Sequence, residues 1–151
     1  MSGVALVMGG NEKSPFDTYV QIAGNGKRIP ANHFLGAIGE SGTLHKELLK
    51  YANSFLFQTA QTALANGRHK IEERLARWLL MARDRLDSDE IPLTHEFLGV
   101  MLGTSRPGVT IALQELEREG WLTHRRGIVS ILDRDGLVRA SKGAYVAPNE
   151  K

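Results

Sequence analysis

Residues 93–122 read LTHEFLGVMLGTSRPGVTIALQELEREGWL, and the stretch divides into two short helices joined at a glycine. Thr94 is suited to cap the first helix by accepting a backbone N–H, with Glu96 in the first turn favoured by the helix dipole, so that helix starts near His95. Phe97, Leu98, Met101 and Leu102 recur at three- and four-residue spacing and form one buried stripe, and Gly103 stands where a left-handed terminal residue is wanted. Thr104 or Ser105 then caps the second helix, with Pro107 in its first turn, where a missing N–H does no damage. Val109, Ala112, Leu113 and Leu116 occupy one face of that helix, and Gly99 lets the two helices approach closely. The pattern is a helix-turn-helix, which presents its second helix to a DNA groove.

With 109, 112, 113 and 116 inward, a turn of about 100° per residue sends Pro107, Thr110, Ile111, Gln114 and Arg118 outward. Arg106 lies at the N-terminal end of this face, where a recognition helix meets base edges and where arginine can pair bidentately with guanine. Gln114 suits adenine or a phosphate, and an exposed Ile111 suits a thymine methyl. Thr94, Thr104, Ser105 and the free N–H groups at the helix starts suit phosphate oxygens. The plainer alternative is a helical hairpin in a core, with Arg106 and Gln114 as ordinary solvated residues.

The next segment, WLTHRRGIVSIL (residues 121–132), alternates β-formers around Arg126-Gly127 and predicts a hairpin. A hairpin after such a helix is a wing, which places His124, Arg125 and Arg126 at or near its tip and within reach of a sugar-phosphate backbone. For His124 alone, a solvated turn is the preferred reading.

These residues together resemble the Crp/Fnr superfamily of bacterial transcription regulators. The strongest part is GTSRPGVTIALQELEREGWL, which looks like that family's recognition helix, with Gly103, Ser105, Arg106 and Val109 at matching positions and Thr94 at that of a phosphate-contacting threonine. The resemblance implies a guanine contact for Arg106 and backbone contacts for Ser105 and Thr94. Pro107 and Ile111 stand where the cyclic-AMP receptor branch has a base-reading glutamate and arginine, which implies a different operator.

Upstream, residues 41–67 contain no proline, and Leu48, Ala52, Phe55, Thr59 and Thr62 alternate four- and three-residue steps, a heptad-like seam expected to form a dimer interface. A second stripe, Leu49, Leu56 and Ala63, runs beside it, and an ordinary core helix is the competing reading. Asn66-Gly67 is expected to interrupt this helix as a hinge. Ile71, Leu75, Trp78, Leu79, Ala82 and Leu86 mark the next helix, with Trp78 a core anchor and Arg68, Lys70, Arg74 and Arg77 on a solvated face.

In the first forty residues VALVM and TYVQIA read as short strands and IPANHFLGAI as a short helix. The family resemblance makes this region the end of a sensory β-roll, most of which is missing. GGNEKSPF resembles the end of the family's phosphate-binding cassette, with Lys13 and Ser14 where cyclic-nucleotide binders carry arginine and serine. Gly3 falls near the place of the acidic residue expected for the ribose, and Pro15 replaces a small residue, so cyclic-nucleotide binding is not expected. Gly9-Gly10 reads as a turn rather than an anion nest.

Composition bounds the rest. The chain of 151 residues is 42% hydrophobic, has no cysteine and carries a formal charge of +2. Disulfides and a cysteine-ligated iron–sulfur cluster are thereby excluded, and no cofactor is expected. No apolar run reaches the length of a membrane span, so a cytoplasmic location is expected, without a membrane partner. Residues 68–151 hold fourteen Lys or Arg against thirteen Asp or Glu, so DNA affinity must come from placement, with Glu115, Glu117 and Glu119 turned away from phosphates. The five histidines fall in no ligand spacing, and neither a nucleophile elbow nor a P-loop occurs, so an enzyme is not expected.

The expected fold is mainly α with small β: a β-roll remnant over 1–40, a long dimerisation helix over 41–66, a winged helix-turn-helix over 67–145 and a tail over 146–151. The expected function is sequence-specific binding of double-stranded DNA, as a homodimer on a two-fold operator, with RNA polymerase as the partner that an activating role would add. The contrasting expectation is an interaction module that heterodimerises with a full-length regulator and needs no operator of its own.

Overall fold

The computed structural model describes residues 3–10, 18, 20, 22–86 and 88–147. They fall into two compact units divided between Ala60 and Gln61.

The first unit begins with a single turn of helix, α1 (Val4–Val7), where VALVM was expected to be a strand. A strand needs a partner for its backbone groups, and none lies among the described residues 3–40, so these groups are satisfied locally. Gly9 N donates to Leu6 O and Gly10 N to Ala5 O, with Gly9 left-handed at φ 77°, which makes the glycine pair the helix terminator. Lys13, Ser14 and Pro15 lie outside the described residues, as does part of TYVQIA. The expected short helix is α2 (Ala31–Glu40), entered from extended Pro30. Ser41 is extended too, and its Oγ accepts Leu44 N at 3.2 Å, starting the long helix α3 (Gly42–Arg68).

Helix α3 passes through Asn66 and Gly67 without a break, contrary to the hinge expected there. An interior glycine costs a helix only about 1 kcal/mol, too little to end one of this length. The break comes at His69 and Lys70, where Glu73 Oε2 accepts both His69 Nδ1, at 2.8 Å, and Lys70 N, at 3.3 Å. Lys70 thereby becomes the cap of α4 (Ile71–Leu86), with Glu73 reaching back as in a capping box.

In the second unit α4 packs on α6 (Arg106–Arg118), α7 (Arg134–Ala140) and α5 (His95–Leu102). A three-stranded antiparallel sheet, in the order β1 (Glu90–Pro92), β3 (Ile128–Ile131), β2 (Leu122–Arg125), closes the core. Leu75, Leu79, Leu80, Leu98, Leu113, Leu116, Leu122, Val129 and Leu137 are fully buried within it. Trp78, expected as a core anchor, and Phe97, expected in a buried stripe, are both half-buried and meet edge-to-face at 6.5 Å at the margin of this core.

Arg74 and Arg77 depart from the expected solvated face. Arg77 is buried, donating from Nε to Ala144 O at 2.9 Å and from Nη2 to Thr62 Oγ1 at 3.1 Å, while Arg74 Nη2 donates to Leu102 O. A guanidinium can sit inside because its fork reaches carbonyls at chain ends that lack helical partners. The segment after α7 is pinned in the same way. Lys142 Nζ lies 2.9 Å from Glu73 Oε1, and Tyr145 Oη donates to Asp84 Oδ2 at 2.6 Å while accepting from Arg134 at 2.8 Å. Burial, and then the bond to Asp84, push the Tyr145 phenol up to about 12.

Gly136 is buried, and a Cβ there would clash with Cδ1 and Nε1 at the edge of the Trp121 indole and stand 2.7 Å from Asp133 Oδ2. Gly136→Ala is expected to lower stability by about 1–3 kcal/mol through overpacking, read as an earlier midpoint in urea denaturation. An unchanged midpoint would mean that the ring can move aside.

Candidate nucleic-acid interface

Helix α5 begins where its cap dictates, with Thr94 Oγ1 accepting Phe97 N at 3.2 Å. It ends at Gly103, left-handed at φ 59°, after which Thr104 N donates back to Gly99 O at 2.9 Å. Gly99 is the other half of this turn, since a Cβ there would stand 2.9 Å from Thr104 O. The close approach is therefore to the turn backbone. Ser105, not Thr104, caps α6, its Oγ accepting Gly108 N at 3.3 Å, with Pro107 in the first turn.

Helix α6 is sharply two-sided. Val109, Ala112, Leu113 and Leu116 are buried, and Arg106, Pro107, Ile111, Gln114 and Arg118 are exposed. Thr110 is half-buried, and its hydroxyl donates to Arg106 O at 3.1 Å. Thr104 is also half-buried, close enough to α6 that a Cβ on Gly108 would meet its Oγ1 at 2.8 Å.

The wing is the expected hairpin. Arg126 (φ 49°) and Gly127 (φ 78°) make a two-residue turn in which both residues are left-handed, matching the twist of the strands. Leu93 N donates to Gly127 O at 2.7 Å, tying the wing tip to the lead-in of α5. Arg125 and Arg126 are exposed beyond it. An open recess of about 380 Å³ is lined by Thr94, His95, Glu96, Arg106 and Gly127, and Arg106 also borders a second one with Thr104 and Ser105.

His124 is not part of a solvated turn. It pairs with Val129 inside the ladder, is half-buried, and stands ring to ring with His95 at 5.4 Å. Its Nδ1 is 3.3 Å from Glu117 Oε2, and Glu117 Oε1 accepts Thr123 Oγ1 at 2.8 Å and His124 N at 3.2 Å. The Thr123 bond, opposed by burial and helped by the His124 N–H, holds the Glu117 carboxyl below the usual carboxylate range. Sequence reasoning missed this role because Glu117 sits among alternating glutamates. Only its position seven residues before the strand residue His124 hinted at it.

On α3 the proposed seam is uneven. Ala52 is buried, Leu48 and Thr62 are half-buried, and Phe55 and Thr59 are exposed, with Thr59 Oγ1 turned back to Phe55 O at 2.9 Å. Leu49 and Leu56 of the neighbouring stripe are exposed as well. Among the described residues no group of three His, Asp or Glu side chains is placed to hold a metal, and no helix is long and apolar enough to cross a membrane.

A buried helix pair, a tight glycine turn and a hairpin tied to its edge define a winged helix-turn-helix. Residues 73–140 match the Crp-like helix-turn-helix domain, so this part of the chain carries a helix-turn-helix of the Crp type. Among solved structures, a protein from Eubacterium rectale assigned to the Crp/Fnr family is 25% identical, over 76% of this chain and 53% of that one, with a TM-score of 0.56. FixK2 from Bradyrhizobium japonicum shares the fold at 22% identity, over 79% of this chain and 60% of its own, with a TM-score of 0.68. The chain thus spans between half and two thirds of the length of these structures. No curated protein sequence matches it.

Removing the Glu117 carboxylate should cost about 1 kcal/mol near neutral pH, the bonds being partly screened by exposure. Because the folded-state pKa is depressed, this stability is present above the unfolded carboxylate value and is lost as pH falls through the folded one. Urea denaturation of wild type and Glu117→Gln should therefore differ at neutral pH and converge in acid; a gap that persists in acid would refute the assignment.

Proposed function

We propose that this chain is a homodimeric regulator that inserts α6 of each subunit into the major groove of a two-fold operator. The observation that carries the reading is the two-sidedness of α6: its apolar face is fully used by the core, and Arg106, Pro107, Ile111 and Gln114 stand exposed in a row on the other. Arg106 would read a guanine, with Gln114 and Ile111 as further base contacts. Thr94, Thr104 and Ser105 would hold phosphates at the two helix starts. Thr110, its hydrogen committed to Arg106 O, would serve only as an acceptor or by its methyl group. Arg125 and Arg126 on the wing would lie over the backbone.

Dimerisation would use α3 through Leu48, Ala52, Phe55, Thr59 and Thr62. The exposure of Phe55, and of Leu49 and Leu56 beside it, supports a covering surface along that helix. Its work on DNA would place the protein in the cytoplasm.

Selection from a random duplex pool at near-physiological salt should enrich two-fold sites with half-sites about one helical turn apart, roughly 34–36 Å. Failure of the folded protein to enrich any site would overturn the reading. Arg106→Ala should lose about 1–3 kcal/mol of discrimination at one base position, measured by competition with single-base variants of the selected site. An equal loss on every variant would reduce Arg106 to a phosphate contact.

A further inference from the structure

His95 and His124 come from different elements, α5 and β2, yet meet where the helix-turn-helix adjoins the wing. The hydrogen bonds around His95 decide which of its nitrogens carries the proton. A hydroxyl has one hydrogen, and that of Thr110 goes to Arg106 O. Thr110 Oγ1 therefore accepts at its other contact, 3.0 Å from His95 Nδ1, and Nδ1 is the protonated nitrogen. In the neutral ring Nε2 is then a lone-pair acceptor and cannot donate to an anion. Protonation at Nε2 adds both a donor and a positive charge while leaving the Nδ1 bond in place.

The surroundings favour the neutral ring. Burial, then the charges of His124 and Arg106, hold the His95 imidazole below its ordinary value. The charged and titratable groups around the pair are Arg106 and Glu117 from α6, His124 and Arg125 from β2, and Glu96 from the same helix. Glu117 is committed to Thr123 and His124, so any charge on His124 is balanced locally, whereas that on His95 would have Arg106 as its neighbour. His95 also lines the open recess beside Thr94, Arg106 and Gly127, where an arriving anion would meet it.

We propose that His95, flanked by His124 and Arg106, is a proton-gated contact for a DNA phosphate: the neutral ring does not hold the oxygen and the imidazolium does. This deepens the DNA-binding reading above and rests on it. A phosphate against Nε2 stabilises the charged ring, so the imidazole pKa is higher in the complex than in the free protein. Duplex binding then takes up a proton, and affinity rises as pH falls from the bound-state pKa toward the free-state one, by at most about tenfold per pH unit.

The test uses the full chain and a fluorescently labelled duplex of mixed sequence, about 30 base pairs long so that two half-sites fit. Affinity is measured from about pH 8 to about 5.5 at constant ionic strength, a range that brackets the ordinary imidazole value. Across it, wild type should gain about three- to tenfold more affinity than His95→Gln. Imidazole nitrogen NMR supplies a readout that needs no variant: His95 should titrate below the ordinary value when free and move upward on adding duplex. In His124→Gln the free-protein titration of His95 should rise, since the repulsion that His124 exerts on a charged His95 is gone. Equal pH dependence in wild type and His95→Gln, or a His95 titration that the duplex leaves unmoved, overturns the proposal. Absence of duplex binding at every pH defeats instead the DNA-binding reading, and the proposal falls with it.

Discussion

Helix α6 has to be held by one face alone. Val109, Ala112, Leu113 and Leu116 are its apolar purchase on the domain, buried where α4 and α5 pack against it, and Glu117 adds a polar tie to β2. Val109, Leu113 and Leu116 each contribute about 1.5–3 kcal/mol by burial and Ala112 less, enough together to seat a helix of thirteen residues without using its outer face. The turn before α6 exists to set this seat. Gly103 supplies the left-handed residue, Gly99 gives way to Thr104 O, and Ser105 closes the first turn. A side chain at Gly99 would push the start of α6, and with it Arg106, off its position.

At the domain's other edges charge works beside apolar contact, where Leu137, Ala144 and Tyr145 are also buried. Glu73 gathers His69, Lys70 N and Lys142, and although burial opposes its charge, the bonds it receives keep its carboxyl low. Arg77 and the Asp84–Tyr145–Arg134 cluster fasten the segment after α7 to α4. Buried charges of this kind persist only when paired and hydrogen-bonded. They come at the ends of elements, where carbonyl and N–H groups lack helical partners. Helix α3 differs in kind. Its large side chains Leu49, Phe55 and Leu56 remain exposed in a single chain, an apolar surface that the other helices do not present in this form.

Much of this was legible in the sequence because the signals were local. The caps Thr94 and Ser105, the left-handed Gly103, the inward set on α6 and the Arg126-Gly127 turn each follow from residue type and a spacing of a few positions. The short strand β1 gave no such signal, because three residues ending in proline carry no alternation and pair only through β3. VALVM misled for the converse reason: β-branched residues favour strands only where a sheet receives them.

What the sequence by itself determined was the helix-turn-helix with its wing, and hence the kind of protein this is, since periodicity and capping act over one or two turns of chain. The tertiary structure alone decided that Arg77 is a buried tie rather than a solvated charge, that α3 runs through Asn66-Gly67, and that His124 turns inward. It alone brought His95 to Thr110 and both histidines to one seam. These depend on which groups meet across distances of tens of residues, and hydrogen-bond direction and charge burial are properties of that meeting rather than of either residue's place in the chain.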